Sequence, residues 1–288
     1  MAELIEQTDI VFGHAGARAL HVDTYRPAAG GNGAAVLIVH GGGWSQGSKA
    51  MVAEHARHLA RDGFVVLASQ YRLTPEAHWP AQIHDVRLAI RWARIHAAEL
   101  GFDPDKLCLE GHSAGAHLVL LAAGAPDEPS FDPPGADTSV SAHCAAVVAV
   151  YPPVLMYRGD ARPSGGTPAR ALPGAEISDE VAALASPINH VAATFPPTLL
   201  LHGDADRVVP VSASRRFETA LRDAGGRVDL HIFSGLPHGL MNHPHLRPVA
   251  MTLISGFFHR QVAAPLDYVF APPAATSASS PEPAKTPA

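Results

Sequence analysis

The chain has 288 residues, of which 47% are apolar and 17% are charged. This composition supports a sizeable core and excludes an intrinsically disordered protein. The net charge of −6 comes with no basic block, which argues against nucleic acid or a polybasic membrane patch as a partner. The two cysteines, Cys108 and Cys144, are too few for a disulfide framework or a Cys-rich metal site, and we predict that both are packing residues.

No targeting or membrane signal is visible in the sequence. Residues 1–7 are acidic and lack the basic start and apolar stretch of a signal peptide. The longest apolar runs, such as 34–39 and 145–151, are far shorter than the roughly 20 residues that a spanning helix needs. We therefore expect a soluble, cytoplasmic protein.

From residue 34 onward, short runs rich in β-branched residues alternate with longer helical patterns. The segment 81–100, for example, places Ile83, Val86 and Ile90 at three- and four-residue spacing, as in an amphipathic helix. The alternation indicates parallel strands joined by crossover helices, hence an α/β protein with a mostly parallel central sheet and helices on both faces. The predicted strands are 35–39, 64–68, 106–109, 145–150, 198–201 and 228–233, and the predicted helices are 49–61, 81–100, 114–123, 212–224 and 248–261.

Three segments depart from this alternation. Residues 10–12 and 20–25 flank a Gly-rich turn and predict an antiparallel hairpin on the sheet edge. Residues 153–197 are rich in Pro, Gly, Asp and Ser and are long for a connection, so we predict that they fold over the sheet as a small cap. Residues 271–288 are rich in Pro, Ala, Ser and Thr and predict a disordered tail. We therefore expect a single domain over residues 1–270.

The pentapeptide Gly111-His112-Ser113-Ala114-Gly115 matches the G-x-S-x-G pattern between a predicted strand and a predicted helix. In that context the serine lies on a strained turn, and a Cβ in place of either glycine would collide with neighbouring backbone. Residues 43–47 match the same pattern. Ser45, however, would have only a hairpin upstream and no earlier strand-end loop to supply a second oxyanion donor. We therefore predict that Ser113 is the nucleophile.

A glycine-rich loop, His40-Gly41-Gly42-Gly43, follows the strand predicted at 35–39. It matches the H-G-G-G pattern, whose backbone N–H groups stabilise the oxyanion of acyl transfer. Glycine suits this position because the backbone must approach the substrate closely. By position, the predicted oxyanion hole consists of the N–H groups of Gly42, Gly43 and Ala114, whereas the alternative is a plain turn.

A general base and an orienting acid are expected later in the chain, in the order serine, acid, histidine. Asp204 and Asp206 follow the strand predicted at 198–201, and His238 follows the strand at 228–233. Both loops lie at the carboxyl ends of strands, on the sheet edge that holds Ser113 and where open α/β sheets bind ligands. We predict His238 as the base and Asp206 as the acid, with Asp204 as the alternative acid.

The chain has 18 histidines, so most of them are expected to be surface or packing residues. The His243-Pro244-His245 spacing is compatible with metal binding, but no carboxylate pair or cysteine stands near it in the sequence. We therefore predict no metal site and no cofactor. The histidines interpreted as surface or packing residues are His21, His55, His58, His78, His96, His117, His231, His243, His245 and His259.

With these motifs, residues from about 10 to 262 resemble the carboxylesterases of the α/β-hydrolases. The similarity is to hormone-sensitive-lipase-like esterases and to acetyl-xylan and feruloyl esterases of the BD-FAE type. The resemblance implies an α/β-hydrolase fold, Asp206 rather than Asp204 as the acid, and a structural role for Asp85. The residues that carry it are His40–Trp44, Tyr71-Arg72-Leu73 with Pro80 and Asp85, Gly111–Gly115, Ser186-Pro187-Ile188, His202-Gly203 with Asp206, and His238-Gly239.

The chain also departs from the lipase-like branch. That branch usually has an acidic residue before the nucleophile and long N-terminal cap helices, whereas here His112 precedes Ser113. The string Gly111–His117, together with His40–Trp44, is similar to kynurenine formamidases as well. The acyl substrate is therefore an ester or a formamide.

The leading prediction is a serine carboxylesterase that hydrolyses short acyl or small aryl esters through an acyl-enzyme, with a small-molecule ester as its partner. An arylformamidase is the alternative. A non-catalytic binding protein with a hydrolase fold is a more distant one, since such proteins typically lack one of the three catalytic residues. The resemblance also implies a possible homodimer that pairs through an edge strand or the last helix.

Overall fold

An eight-stranded sheet forms the centre of the protein. The computed structural model describes residues 3–157 and 178–265. The strands are β1 Leu4–Ala15, β2 Arg18–Pro27, β3 Ala35–Val39, β4 Val65–Ser69, β5 Leu107–His112, β6 Ala146–Val150, β7 Thr198–Gly203 and β8 Val228–Phe233. Their order across the sheet is β1-β2-β4-β3-β5-β6-β7-β8. β2 pairs antiparallel with β1 and β4, and all neighbours from β4 to β8 pair in parallel.

Helices cover both faces of this sheet. They are α1 Ala53–Arg61, α2 Ala81–Ile95, α3 Ala97–Leu100, α4 Ala114–Gly124, α5 Asp179–Leu184, α6 Ser212–Asp223 and α7 Arg247–Phe258. The apolar residues of α2, α4 and α6 pack into one core cluster, and those of α1 and α7 pack into a second cluster on the opposite face. The predicted mostly parallel sheet with helices on both faces is therefore confirmed.

The central strands consist almost entirely of buried apolar residues. Every residue of β3, β4 and β6 is buried, because helices cover both sides of each strand.

Among the described residues, no helix is both long and apolar enough to cross a bilayer. The compartment stays a prediction.

The helix predicted as one unit over 81–100 consists of two helices, so this prediction was wrong. α2 ends at Ile95, and His96 leaves the helical conformation with φ −94° and ψ 10° before α3 begins. The His96 ring contacts the Trp92 carbonyl oxygen at 2.8 Å, and the His96 backbone N–H donates to the same oxygen at 3.0 Å. The side chain therefore competes for an acceptor that the helix itself uses.

The predicted N-terminal hairpin is confirmed, but its strands are longer than the predicted 10–12 and 20–25. β1 and β2 pair from Leu4 with Pro27 to Ala15 with Arg18, and β1 is the edge strand. Most of β1 faces solvent, so polar residues dilute the apolar pattern that marks a strand in the sequence.

The segment predicted as a cap, 153–197, is described in part. Its described C-terminal part contains the short helix α5, whose first turn is capped by the Ser178 side chain, and a 3-10 turn at Pro187–His190. Residues 158–177 and the predicted tail 271–288 lie outside the described residues. The cap and the tail therefore stay predictions.

Candidate active site

Ser113 lies on the sharp turn between β5 and α4. It is the single residue between the two elements, and its φ of 51° and ψ of −114° are unusual for a residue with a side chain. Its backbone N–H donates to the Val150 carbonyl at the end of β6, with an N···O distance of 2.9 Å. These contacts place the serine at the wall of a cleft at the carboxyl ends of the strands.

The two glycines that flank Ser113 are required by close backbone packing. A Cβ added at Gly111 would lie 2.4 Å from the Gly115 carbonyl oxygen, and one added at Gly115 would lie 2.1 Å from the Val39 oxygen. Both distances are far below van der Waals contact. The steric reason predicted for the G-x-S-x-G pattern is confirmed.

The structure brings Ser113, His238 and Asp206 into one hydrogen-bonded chain. The His238 Nε2 atom lies 3.0 Å from the Ser113 Oγ atom, and its Nδ1 atom lies 2.6 Å from the Asp206 Oδ2 atom. Asp206 follows β7 and His238 follows β8, on the same edge of the sheet as Ser113. The geometry suits a neutral imidazole that donates from Nδ1 to the carboxylate and accepts at Nε2 from the hydroxyl.

Asp206 is held as a carboxylate by several donors. Its Oδ1 atom accepts the backbone N–H groups of Val208 and Val209 at 2.8 and 2.9 Å. Its Oδ2 atom lies 3.3 Å from His202 Nε2. Burial alone would raise the pKa of Asp206, but the hydrogen bonds from His202, His238 and Val209 outweigh it and hold the pKa well below its usual range. The acid next to His238 is therefore charged over the physiological pH range.

The alternative acid, Asp204, contacts the histidine loop instead of the histidine. Its Oδ1 atom accepts the Gly235 N–H at 2.6 Å. The two loops also touch through Gly203, where an added Cβ would lie 2.1 Å from the Leu236 oxygen. The structure therefore places Asp206, not Asp204, against the imidazole.

The glycine-rich loop lies beside Ser113. Gly42 and Gly43 line the same cleft as the serine and have positive φ values of 119° and 58°. Ala114 is the first residue of α4, and the first bond of that helix runs from the His117 N–H to the Ser113 carbonyl at 3.0 Å. The Ala114 N–H therefore precedes the helical bonds and has no acceptor within the helix.

Three further residues of the resemblance, Tyr71, Arg72 and Asp85, have defined partners in the structure. The His40 ring stacks on Tyr71 with 4.5 Å between ring centroids, and the Tyr71 hydroxyl donates to the His40 carbonyl oxygen at 3.2 Å. The buried Asp85 carboxylate accepts the Arg72 backbone N–H at 2.8 Å and the Arg72 Nη2 group at 2.6 Å. These contacts match the structural role that the resemblance implies for Asp85.

The cleft is small, and some of its wall residues are apolar. Its volume is about 330 Å³, and its walls include Met51, Val52 and Val208 beside Ser113 and His238. Ligand cavities in proteins typically measure about 300–1,000 Å³, so this cleft suits a small molecule.

A cluster of three residues near Ser113 was missed by the sequence analysis. The buried cluster of His55, Glu110 and His112 lies on the α1 side of β5, and His112 Nε2 contacts Glu110 Oε1 at 2.9 Å. Burial raises the pKa of Glu110 to about 7 and lowers the pKa of His112 to about 4 and that of His55 to about 3. Glu110 and His112 are two residues apart on a strand and share a face, which is the signal that the sequence offered.

The other histidines have varied surroundings. His117 Nε2 contacts the Ala185 carbonyl oxygen at 2.7 Å and so joins α4 to the segment that contains α5. His243 and His245 are exposed, with 5.7 Å between ring centroids. Within the described residues, the one group of three or more side chains able to hold a metal is His55, Glu110 and His112.

The sheet order, the helices on both faces and the loops after β3, β5, β7 and β8 define an α/β-hydrolase fold. The chain belongs to the BD-FAE family, whose model matches residues 22–221. It is 35% identical over 234 residues to esterase LipQ of Mycobacterium tuberculosis, covering 76% of this chain and 53% of LipQ. The chain spans about half the length of the curated relatives it matches.

Solved structures of Thermogutta terrifontis esterase 2 are similar as well. The form phosphonylated by sarin has a TM-score of 0.77 and 29% identity, covering 90% of this chain and 94% of that one. The propionate-bound form has a TM-score of 0.74 and 30% identity, covering 89% of this chain and 93% of that one. The predicted resemblance to α/β-hydrolase esterases is thus confirmed.

Proposed function

We propose that the protein is a serine carboxylesterase that hydrolyses short acyl or small aryl esters through an acyl-enzyme. The observation that carries the proposal is the hydrogen-bonded chain from Ser113 through His238 to Asp206, at the wall of a small cleft beside a glycine-rich loop. The names of the relatives support ester hydrolysis as the reaction.

In the first half of the reaction, Ser113 Oγ attacks the ester carbonyl carbon while His238 Nε2 accepts the hydroxyl proton. Asp206 stabilises the resulting imidazolium and holds the ring in one orientation. The N–H groups of Gly42, Gly43 and Ala114 are the proposed donors to the oxyanion. Since each such donor is worth about 3 kcal/mol in the transition state, three of them account for a large share of the catalysis. The bond to the alcohol then breaks, and His238 gives its proton to the departing oxygen.

The second half repeats these steps with water. His238 accepts a proton from a water molecule, whose oxygen attacks the acyl carbon, and the bond from that carbon to Ser113 Oγ breaks. The proton returns from His238 to the serine, and the carboxylic acid leaves. The same side chains thus serve both halves without a cofactor.

The size of the cleft supports short substrates. A volume of about 330 Å³ leaves little room for a long acyl chain. The related T. terrifontis esterase has been solved with bound propionate, a three-carbon acid, and we propose that this chain likewise accepts short acyl groups. No observation favours the arylformamidase alternative, and the assembled Ser113, His238 and Asp206 argue against a non-catalytic binding protein.

The direct test is steady-state hydrolysis of p-nitrophenyl acetate, butyrate and octanoate. We expect kcat/KM to fall from acetate or butyrate to octanoate. We expect Ser113→Ala to lower it by about 10⁴-fold or more, because the nucleophile is lost. Ser45→Ala is the matched control, since Ser45 lies in the second G-x-S-x-G match and is exposed; it should keep full activity.

Turnover that survives in folded Ser113→Ala would contradict the proposal. N-formylkynurenine belongs in the same panel. Cleavage of that amide, with no turnover of the esters, would favour the formamidase instead.

A further inference from the structure

A cluster of two imidazoles and one carboxylate is buried directly behind the nucleophile. His112 immediately precedes Ser113, Glu110 lies two residues earlier on β5, and His55 comes from α1. One ligand atom from each of the three side chains lies within 4.8 Å of the other two. Glu110 is 0% exposed, His55 3% and His112 6%. This cluster takes no part in the proposed ester hydrolysis.

Two atoms of the cluster are not satisfied by the protein. Neither His55 Nδ1 nor Glu110 Oε2 has a hydrogen-bond partner among the described residues, and both atoms are inaccessible to solvent. Buried polar atoms almost always have partners, so a pair of unpartnered ones in the same cluster calls for an explanation. Glu110 Oε2 carries a lone pair, and so does His55 Nδ1 in the Nε2–H tautomer, and a cation accepts both.

The nitrogen and oxygen donors of this cluster are ligands that Zn²⁺ and other divalent first-row transition metals bind in proteins. Two histidines and one glutamate are a ligand combination that proteins use for Zn²⁺, with the fourth position left to water. Tetrahedral bonds of about 2.0–2.1 Å place ligand atoms about 3.3 Å apart, so small side-chain rotations bring this cluster into range.

The surroundings of the ligands also fit. His112 also lines the cleft beside Ser113, so the cluster lies next to the space that a small molecule can occupy.

We propose that His55, Glu110 and His112 bind one divalent transition-metal ion of the zinc class. The binding claim rests on the cluster alone. A consequence for catalysis rests on the proposed function. The Tyr151 ring lies 6.3 Å from that of His112 and 4.4 Å from that of His238, measured between centroids. A bound cation would disfavour the imidazolium that His238 must carry, so Zn²⁺ should slow ester hydrolysis.

The first experiment measures binding to the full chain after removal of metals with EDTA. Zn²⁺ is titrated by calorimetry, and Co²⁺ is followed by the visible absorption of its tetrahedral complexes. We expect one site in the wild type. Since even outer-shell partners are worth about 10–100-fold in affinity, we expect a loss of at least about 100-fold in Glu110→Gln and in His55→Gln.

The double variant His243→Ala/His245→Ala is the matched control. His243 and His245 are exposed and their rings lie close together, so they could bind Zn²⁺ non-specifically. It should keep the site. Ser113→Ala should also keep it, which separates metal binding from the proposed hydrolysis. Zn²⁺ binding that disappears in the double variant, or that persists unchanged in Glu110→Gln, would overturn the proposal.

A second measurement covers the case in which the cluster variants do not fold. A ligand that binds only the folded state raises its thermal stability in a saturable manner. Zn²⁺ should therefore raise the Tm of the wild type and of the His243/His245 double variant. Absence of both a Tm shift and a Co²⁺ absorption band in the wild type would rule the site out.

Discussion

The backbone of Ser113 is held in a conformation that costs about 1–3 kcal/mol, and the contacts around it offset that cost. The hydrogen bonds from Ser113 to Val150 and from His117 to Ser113 fix the peptide units on both sides of the residue. The serine hydroxyl is therefore in place before a substrate binds, and the proposed reaction needs no movement of the nucleophile.

Asp206 gives a prediction about pH. Because the pKa of Asp206 is lower in the folded chain than in the unfolded one, the unfolded chain takes up its proton first as the pH falls. The carboxylate therefore stabilises the fold above about pH 4, and this contribution is lost progressively below it. In Asp206→Asn the contribution is absent. The Tm difference between wild type and variant should be largest near pH 7 and shrink toward pH 3.

The same variant has an expected effect on activity. An uncharged amide in place of this carboxylate would neither hold the required tautomer of His238 nor stabilise its imidazolium, and kcat at pH 7 should fall by about 10⁴-fold. The stability prediction has its own contradicting outcome. If the Tm difference between wild type and Asp206→Asn stays constant from pH 7 to pH 3, the charge of Asp206 is not what stabilises the fold.

At the scale of elements, the close contact between α4 and β3 requires a residue without a side chain at Gly115. A Cβ at Gly115 would lie 2.1 Å from the Val39 oxygen, a backbone atom that cannot move aside easily. We expect Gly115→Ala to lower the free energy of unfolding by at least about 1–3 kcal/mol, as overpacking does elsewhere. Urea denaturation measures this change.

Gly256 provides the matched control. It is an exposed glycine within α7, and an added Cβ would meet nothing within 4 Å. Gly256→Ala should raise the free energy of unfolding by about 0.5–1 kcal/mol, because alanine loses less backbone entropy in a helix. Equal effects at the two positions would refute the packing argument.

The elements that could be predicted from sequence are those whose pattern is local. Buried strands such as β3 and β6 are uniform apolar runs, and β8 was predicted with the bounds that the structure shows. The break at His96 was missed because the apolar spacing continues across it, and only a side-chain hydrogen bond marks it. The length of β1 was missed because polar residues and a glycine interrupt its apolar pattern.

The candidate site, too, could be predicted from sequence only where its residues belong to local patterns. Motif spacing led to Ser113, His238 and Asp206, and the fold brings them together, although their roles stay predictions. The cluster around Glu110 was missed because His55 comes from α1, far from β5 in the sequence, and no local pattern contains that proximity. A shared strand face indicates a pair, whereas a third member from another element requires the tertiary structure.

At the scale of the whole molecule, the contribution of an ion pair to the free energy of unfolding depends on how deeply the pair is buried. Asp85 is 2% exposed and pairs with Arg72, whereas Asp105 is 83% exposed and pairs with Arg94. Asp85→Ala would leave the Arg72 charge and backbone N–H without their partner and should cost about 3–5 kcal/mol of unfolding free energy. Asp105→Ala, the control, should cost less than about 1 kcal/mol. Similar values from chemical denaturation would contradict this view of the Arg72–Asp85 pair.

Ser113 leaves the ribosome long before its proposed base, since 125 residues separate it from His238. Among the described residues, β8 is the last strand to be synthesised, and it lies at an edge of the sheet. A nascent chain folded only through β6 carries a serine hydroxyl with no group to take its proton, and such a hydroxyl is a poor nucleophile. Under the proposed function, copies of the protein that end before β8 therefore lack esterase activity, and the appearance of hydrolysis reports that β8 has docked.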